Sequence, residues 1–384
     1  MTTTSHHHKH PELVRPEQGN FHRNELGILG TNCGQINSLV TALMAELSPL
    51  YKVGYVDADH RSSAADDDQL LINGCSGYLM DHISHRSFDT RQVIEPFSSR
   101  AMLVHQDLVL VNGNHFAANA QIVVIDPAKS LEAKLDKLTN VRLILLTERA
   151  EGIPQYLSDH LPVGHSVSVP KISDVLSIAS FIQKYLEERL TPIKGLVLAG
   201  GKSTRMKEDK GSIEYFGKSQ RVHVYEMLNK HCAGTYVSYD DIASIDDNES
   251  IPVITDSFLG LGPLGGILSA MRTDPNSAWL TVACDLPFLS AETLEYLVAH
   301  RDTSKVATCF MDSNGKFPEP LITIWEPRAY AVLLQFLAQG YACPRKALIN
   351  TDVAILQAPD VSEFANINNP EERQMAMQRL HPDS

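Results

Sequence analysis

The sequence predicts an α/β protein built of two three-layer α/β/α domains, one after the other. Three observations predict it. Short runs of Val, Ile and Leu recur through both halves and alternate with helical stretches, the pattern of a parallel sheet covered on both faces. The 384 residues suffice for two ordinary domains. Near residue 190 a helix stops at Thr191-Pro192 and a new apolar run begins at once. The expected division is a tail over 1–23, one domain over 24–190 and a second over 191–384.

In the first half, Leu26–Leu29 reads as a strand entering a Gly-rich turn, and Ser38–Leu47 as the helix after it. Lys52–Val56, Asp107–Val111, Gln121–Ile125 and Val141–Leu146 read as further strands. Asp174 to Leu190 is an amphipathic helix, with Val175, Ile178, Phe181, Ile182 and Tyr185 on one side. In the second half, Ile193–Leu198, Pro252–Ile254, Trp279–Ala283 and Leu321–Trp325 read as strands. Ile267–Met271 reads as a helix behind a tight loop.

Composition narrows the class. The chain is 43% hydrophobic and 21% charged, which is ordinary for a soluble globular protein. A net charge of −13 argues against a broad nucleic-acid surface. No run of eighteen apolar residues exists to span a membrane, and no apolar leader core opens the chain. The six cysteines form no CxxC pair, so they read as reduced thiols and the expected location is the cytoplasm. His6, His7, His8 and His10 lie in a polar start read as a tail.

Three segments of the second half carry chemistry. In Leu198-Ala199-Gly200-Gly201-Lys202-Ser203-Thr204-Arg205-Met206-Lys207-Glu208-Asp209-Lys210 a strand enters two glycines, then hydroxyls and cations. Gly200 and Gly201 allow backbone N–H groups to approach phosphate oxygens, beside the Ser203 hydroxyl. Arg205 offers a planar fork of donors and Lys210 a mobile charge. A glycine turn alone is a weak signal, whereas the thirteen-residue string is specific. The second segment is Trp279–Leu289, an apolar strand that delivers Asp285 at its carboxyl end, where open α/β sheets bind ligands. Magnesium takes one or two carboxylates plus substrate phosphates, so Asp285 is the expected metal ligand. Third, five uncharged residues separate Asp256 from Gly262, and Gly262, Gly265 and Gly266 suit close approach to a flat ligand.

These strings give the second half a resemblance. It resembles the molybdenum cofactor guanylyltransferase family of the nucleotidyltransferase superfamily, through 198–210, Gly-Pro-Leu-Gly-Gly at 262–266 and Cys-Asp-Leu-Pro-Phe at 284–288. Pro318-Glu319-Pro320-Leu321 and Phe364-Ala-Asn366-Ile-Asn368 add to it. The resemblance implies a Rossmann-like nucleotidyltransferase fold, GTP phosphates bound by Leu198, Ala199, Gly200 and Lys210, a nucleotide contact from Asp256 and Mg2+ on Asp285. It implies GMP transfer to molybdopterin or the molybdenum cofactor, with Arg205, Lys210 and Asp285 neutralising charge as pyrophosphate leaves. Molybdoenzymes and other cofactor-biosynthesis proteins are the implied partners. Lys207 departs from the family, which usually has Gly after Arg-Met. Two other readings remain at this point: a nucleotidyltransferase using CTP or a sugar phosphate, and a non-catalytic binding protein of the same pathway. Ala199-Gly200-Gly201, where cytidylyl relatives usually have Ala-Ala-Gly, favours GTP.

The first half places Gly27–Ser38 where a phosphate-binding loop would sit. Against GxxxxGK[ST], counted from Gly30, Gln35 replaces Gly and Ile36 replaces the phosphate-binding Lys. With Lys52–Val56, Asp57, Asp59, His60 and Asp107–Gly113, it resembles the molybdopterin-guanine dinucleotide adapter family, a P-loop-NTPase-like fold. The expectation is a degenerate loop that does not hydrolyse nucleotide. Asp57, Asp59 and His60 are a candidate metal cluster, with a solvated loop as the alternative.

Overall fold

The computed structural model describes residues 19–58, 73–161, 169–199, 210–240, 251–367 and 369–381. The chain divides into two compact units, 1–189 and 190–384.

The first unit runs β1 (Glu25–Leu29), α1 (Cys33–Leu47), β2 (Val53–Val56), β3 (Gly77–Asp81), β4 (Arg86–Thr90), α2 (Pro96–Met102), β5 (Leu108–Asn112), β6 (Ala120–Ile125), β7 (Val141–Leu146), α3 (Gln155–His160) and α4 (Val175–Glu187). Its main sheet has the order β2-β5-β1-β6-β7, with every pair parallel. The strands β1, β5 and β6 are fully buried, β7 nearly so and β2 at the edge half-buried, because both faces of the centre are covered. On one face Leu26, Ile28, Leu110, Ile122 and Leu145 pack against Ile36, Leu43, Ile178 and Ile182 of α1 and α4. On the other, Val123, Ile125 and Ile144 pack with Leu157 of α3.

The first residues of this unit are tied down. Buried Glu25 accepts N–H bonds from Asn20, Phe21 and Asn119 at 2.6–2.8 Å, which ties residues 20 and 21 to the first strand. The polar start with its four histidines lies outside the described residues. The helix expected from Ser38 begins at Cys33 instead, because the Asn32 side chain accepts from Gln35 N at 3.0 Å and caps it. The hairpin β3–β4 was not anticipated. It forms a two-stranded sheet with Leu79 opposite Phe88.

The second unit continues with β8 (Ile193–Leu198), a short turn of 3-10 helix (Lys210–Ser212), α5 (Gln220–Asn229), β9 (Thr235–Tyr239), β10 (Val253–Thr255), α6 (Pro263–Thr273), β11 (Ala278–Ala283), α7 (Ala291–Ala299), β12 (Ala307–Met311), β13 (Pro318–Trp325), α8 (Ala329–Ala338), α9 (Pro344–Ile349), β14 (Ala354–Leu356) and α10 (Pro370–Leu380). Its seven-stranded sheet has the order β10-β9-β8-β11-β13-β12-β14. Only β13 runs against its neighbours; the other pairs are parallel.

One face of this sheet packs on Val224 and Leu228 of α5 and Leu294 and Leu297 of α7. The other packs on Leu264, Ile267 and Leu268 of α6, Leu333 of α8 and Leu348 of α9. Each unit is therefore a three-layer α/β/α fold, as the sequence predicts. From β8 the chain steps to β9 on one side, and after β10 it crosses to β11 on the other. That reversal places a topological switch point between β8 and β11, where such sheets open a crevice at the strands' carboxyl ends.

Candidate active site

Strand register assembles the site. Leu198, the last residue of central β8, lies opposite Ala283 of β11 on one side and Ser238 of β9 on the other. Cys284 N donates to Leu198 O at 3.3 Å, continuing the ladder by one bond. The glycine-rich string leaving Leu198-Ala199 and the Asp285 string leaving Ala283 thus start from adjacent points. Gly200, Gly201, Ser203, Arg205 and Lys207 lie outside the described residues, as does the Lys210 side chain. Leu198, Ala199, Asp256, Gly262 and Asp285 can be placed.

Asp285 is partly buried at the mouth of the crevice. Its carbonyl accepts from Ile367 N at 3.1 Å, so the late segment Phe364–Ile367 closes against it. Tyr215 stands nearby: burial pushes its phenol up, Arg373 pulls it down and the Asp285 charge adds to the rise. Asp256 follows β10. Its N–H donates to Tyr239 O at 2.8 Å, and its Oδ1 accepts from the Ser238 hydroxyl at 2.7 Å. Burial raises the Asp256 carboxyl above its ordinary range, the Ser238 bond opposes this and Asp240 reinforces it. Ser238 escaped the sequence reading. Only its position at the carboxyl end of a strand could have marked it, and β9 itself was not foreseen.

The glycines of 262–266 divide their roles in a way the sequence did not suggest. Pro263 is the first residue of α6, so the string read as a loop before Ile267 is the helix's own first turn. Gly262 is its cap, with φ +56° and open space around a would-be Cβ. At Gly265 a Cβ would meet Phe258 O at 2.4 Å, and at Gly266 it would meet Ser238 Oγ at 2.6 Å. Gly265 lets the helix approach the segment after β10, and Gly266 lets it approach β8 and β9, which is a packing role. Open space for a ligand beside a would-be Cβ is found at Gly262 and not at Gly265 or Gly266.

Across β11 lies a carboxylate the motifs only skirted. β11 and β13 pair antiparallel as far as Val282 opposite Ile322, which brings Glu319, near the start of β13, within the field of the Asp285 charge. Arg345 Nη2 donates to Glu319 Oε2 at 3.1 Å, and Leu321 N to Oε1 at 3.1 Å. Burial raises the Glu319 carboxyl, the Leu321 bond and Arg345 oppose this, and the Asp312 and Asp285 charges add to it.

Among the described residues, no three His, Cys, Asp or Glu side chains gather to hold a metal. Magnesium does not require that. It binds through one or two carboxylates and keeps phosphates and water for the rest. Asp285, with Glu319 in its field, fits such an ion.

The corresponding end of the first unit is filled by the chain itself. Only Gly30, Thr31 and Asn32 separate β1 from α1. Gly30 has φ +105°, and a Cβ there would meet Val124 O at 2.2 Å. Thr31 Oγ1 donates to Asp126 Oδ2 at 2.7 Å, and Thr31 O accepts from Lys129 Nζ at 2.8 Å and Asn114 Nδ2 at 2.9 Å. Cys33 Sγ lies 3.2 Å from His115 Nε2. Asp57 accepts from Tyr55 at 2.6 Å, Ala58 N at 2.7 Å and Asn112 at 2.8 Å; burial opposes these bonds, but they hold its carboxyl below the usual range. Asp59 and His60 lie outside the described residues.

The sheet, its switch point and the carboxylate beside β8 define the second unit as a nucleotidyltransferase, and known proteins agree. A family model described as the MobA-like NTP transferase domain matches residues 195–354. A molybdenum cofactor guanylyltransferase of Pseudomonas putida is 30% identical over 199 residues, 49% of this chain and 100% of that protein. A molybdenum cofactor biosynthesis bifunctional protein of Synechocystis is 34% identical over 183 residues, 47% of this chain. The match spans only 53% of that relative's length. A solved molybdopterin-guanine dinucleotide biosynthesis protein A of Archaeoglobus fulgidus aligns with 49% of this chain and 99% of its own at 23% identity, with a TM-score of 0.41. The chain belongs to the molybdenum cofactor guanylyltransferase family. No helix among the described residues is long and apolar enough to cross a membrane.

Proposed function

We propose that this chain transfers GMP from GTP to the terminal phosphate of molybdopterin or the molybdenum cofactor, releasing pyrophosphate. One observation carries the reading: Leu198 and Ala283 are strand partners, so the phosphate-binding string and Asp285 leave the sheet side by side. The acceptor phosphate is already anionic, so the reaction asks for alignment and charge neutralisation more than for a strong base. Gly200, Gly201, Ser203, Arg205 and Lys210 take the triphosphate in this reading. Asp256, oriented by Ser238, contacts the nucleotide beside Gly262. Asp285 would hold Mg2+, which when bound supplies positive charge to the phosphate oxygens.

The first unit acts in this reading as a non-hydrolysing adapter. A phosphate loop cradles phosphate with backbone N–H groups spread over several residues. Here the first turn of α1 occupies most of that stretch, Asn32 takes the Gln35 N–H, and the Thr31 carbonyl and hydroxyl are bonded to Lys129, Asn114 and Asp126.

The test is pyrophosphate release with GTP, CTP, ATP or UTP, with Mg2+ and molybdopterin or its molybdenum-loaded form. Release with GTP alone, lost in Asp285→Ala, is the expected result. Release only with another triphosphate would keep the chemistry and overturn the substrate. GTP binding without turnover on either acceptor would make the chain a binding protein.

A further inference from the structure

The crevice at β11 has two sides. On the β8 side leaves the glycine-rich string. On the β13 side, within the field of the Asp285 charge, stands Glu319 with Arg345 bonded to it. β13 enters this edge by its first residues because it runs against the sheet, so the side chains here come from Pro318-Glu319 and from the start of α9. The charges of Asp285 and Asp312 both act on Glu319, and that of Arg345 acts with opposite sign on Glu319 and Asp312.

The two partners differ in exposure. The Glu319 side chain is 14% exposed and Arg345 39%. Glu319 is fixed from two directions, by Leu321 N and by Arg345. A guanidinium has five N–H donors in a planar fork, and the bond to Glu319 uses one. Arg345 is therefore held on its inner edge by a buried carboxylate, while part of the side chain remains open to solvent. Such a fork suits a phosphate dianion.

We propose that Arg345 binds the terminal phosphate of the acceptor on the β13 side of Asp285, and that Glu319 is the positioning residue that holds it there. The inference rests on the phosphate-acceptor reading above and assigns that reading's second substrate to a place. The triphosphate enters from the β8 string and the phosphomonoester from β13, with Asp285 between them. Glu319 touches neither substrate. It restricts the guanidinium to one orientation, so less rotamer freedom is lost when the phosphate binds.

The experiment compares the full-length chain with Arg345→Ala, Arg345→Lys, Glu319→Gln and Glu319→Asp. Two readouts are taken. One is the KM for molybdopterin and for GTP in pyrophosphate release. The other is equilibrium binding of molybdopterin and of GTP separately, by calorimetry. Loss of a charge-assisted contact in Arg345→Ala should raise the molybdopterin KM and dissociation constant on the order of 10- to 100-fold. The GTP dissociation constant should stay within about twofold. Arg345→Lys should recover part of the loss, since it keeps the charge but not the fork. Glu319→Gln should raise the molybdopterin KM by a smaller factor at nearly constant kcat, and Glu319→Asp should recover part of that.

Unchanged molybdopterin affinity in Arg345→Ala, or equal weakening of both substrates, would overturn the proposal. So would a wild-type chain that does not bind molybdopterin. If the wild-type chain binds molybdopterin through Arg345 but never transfers GMP to it, the placement stands and the transferase reading fails.

Discussion

The two units end their central parallel strands alike in sequence and differently in space. β1 and β8 are both buried apolar runs that enter a glycine turn. After β1, three residues suffice to reach α1, and the crown above them is occupied by Lys129, Asn114 and Asp126. After β8, eleven residues pass before Lys210, and the strand ends around them supply Ser238, Asp256 and Asp285. A glycine after a strand therefore does not report a phosphate site. Gly30 is there because β6 backbone passes too close for any Cβ. In the proposed reading the two crowns differ in the length of chain that follows the strand and in the side chains that the neighbouring strand ends supply.

The largest effect expected from this contrast is in the second unit. Asp285→Ala should lower pyrophosphate release on the order of 100- to 1000-fold, the usual loss when one preorganised electrostatic contact is removed. The measurement is steady-state release with GTP and molybdopterin at saturating Mg2+. A loss of less than tenfold would move the metal assignment elsewhere. The smaller Glu319 and Arg345 effects sharpen the same side of the comparison.

Glycine replacements come next, because the two crowns use glycine for different ends. Gly30→Ala combines a backbone clash with an unfavourable positive φ and should cost the first unit roughly 2–5 kcal/mol, with transfer activity retained at low temperature. Gly266→Ala drives a Cβ toward Ser238 Oγ and Leu198 Cδ2 at 2.6 and 2.9 Å. It should cost about 1–3 kcal/mol and raise the GTP KM, because the displaced hydroxyl is the one that orients Asp256. Thermal unfolding with activity measured alongside checks both. If Gly30→Ala reduced transfer as strongly as Gly266→Ala, the two crowns would not be functionally distinct.

The extent to which the fold was legible follows from the range of the interactions. The buried strands β5, β6, β7, β8 and β11 could be read because a double-covered parallel sheet writes itself as local apolar runs. Asp285 was legible for the same reason, as one carboxylate at the end of such a run. The start of α6 was misplaced because Gly-Gly is a local breaker signal, while the tertiary approach of Gly265 and Gly266 to β10's exit and to β9 makes those residues necessary inside the helix. The start of α1 could have been found: Asn32 with Gln35 three residues later is a helix-start signature. The Ser238–Asp256 bond and the nearness of Glu319 to the Asp285 charge could not, because each joins segments that only the sheet brings together.

Asp256 gives a smaller, two-sided effect. Its folded value is raised, so for this carboxylate the folded state disfavours the ionised form. The sign follows: its contribution weakens the fold above its folded value, and the penalty is relieved as pH falls through that value toward the ordinary one. Asp256→Asn keeps an acceptor for the Ser238 hydroxyl and removes the charge. It should raise the melting temperature, because it removes a charge that the folded state disfavours. It should also raise the GTP KM about tenfold through loss of a charged hydrogen-bond partner. In the wild-type chain the GTP KM should climb as pH falls and the carboxylate is protonated, and that pH dependence should vanish in the variant. A variant with both melting temperature and KM unchanged would remove Asp256 from the site.

Lys129 is the closest test of the comparison and carries the smallest expected effect. Its ammonium reaches the Thr31 carbonyl and Asn114 Oδ1 at 2.8 and 2.9 Å, beside the place where a phosphate-loop lysine would stand. Burial lowers its affinity for a proton, Lys134 adds to this, and Cys33 and Asp126 oppose it. Two opposite consequences can be drawn from that position. If Lys129 substitutes for the missing lysine, the chain binds two GTP molecules and Lys129→Met binds one. If it instead seals the crown, both proteins bind one. The carbonyl and amide oxygens already engaged leave the ammonium little to offer a phosphate, so the sealed reading follows: one GTP per chain by calorimetry, transfer activity within about twofold of wild type, and a stability change within about 1 kcal/mol, the net worth of a hydrogen bond. A second GTP site abolished by Lys129→Met would make the first crown a working nucleotide site built around a lysine from the turn after β6, and the contrast between the units would become one of architecture alone.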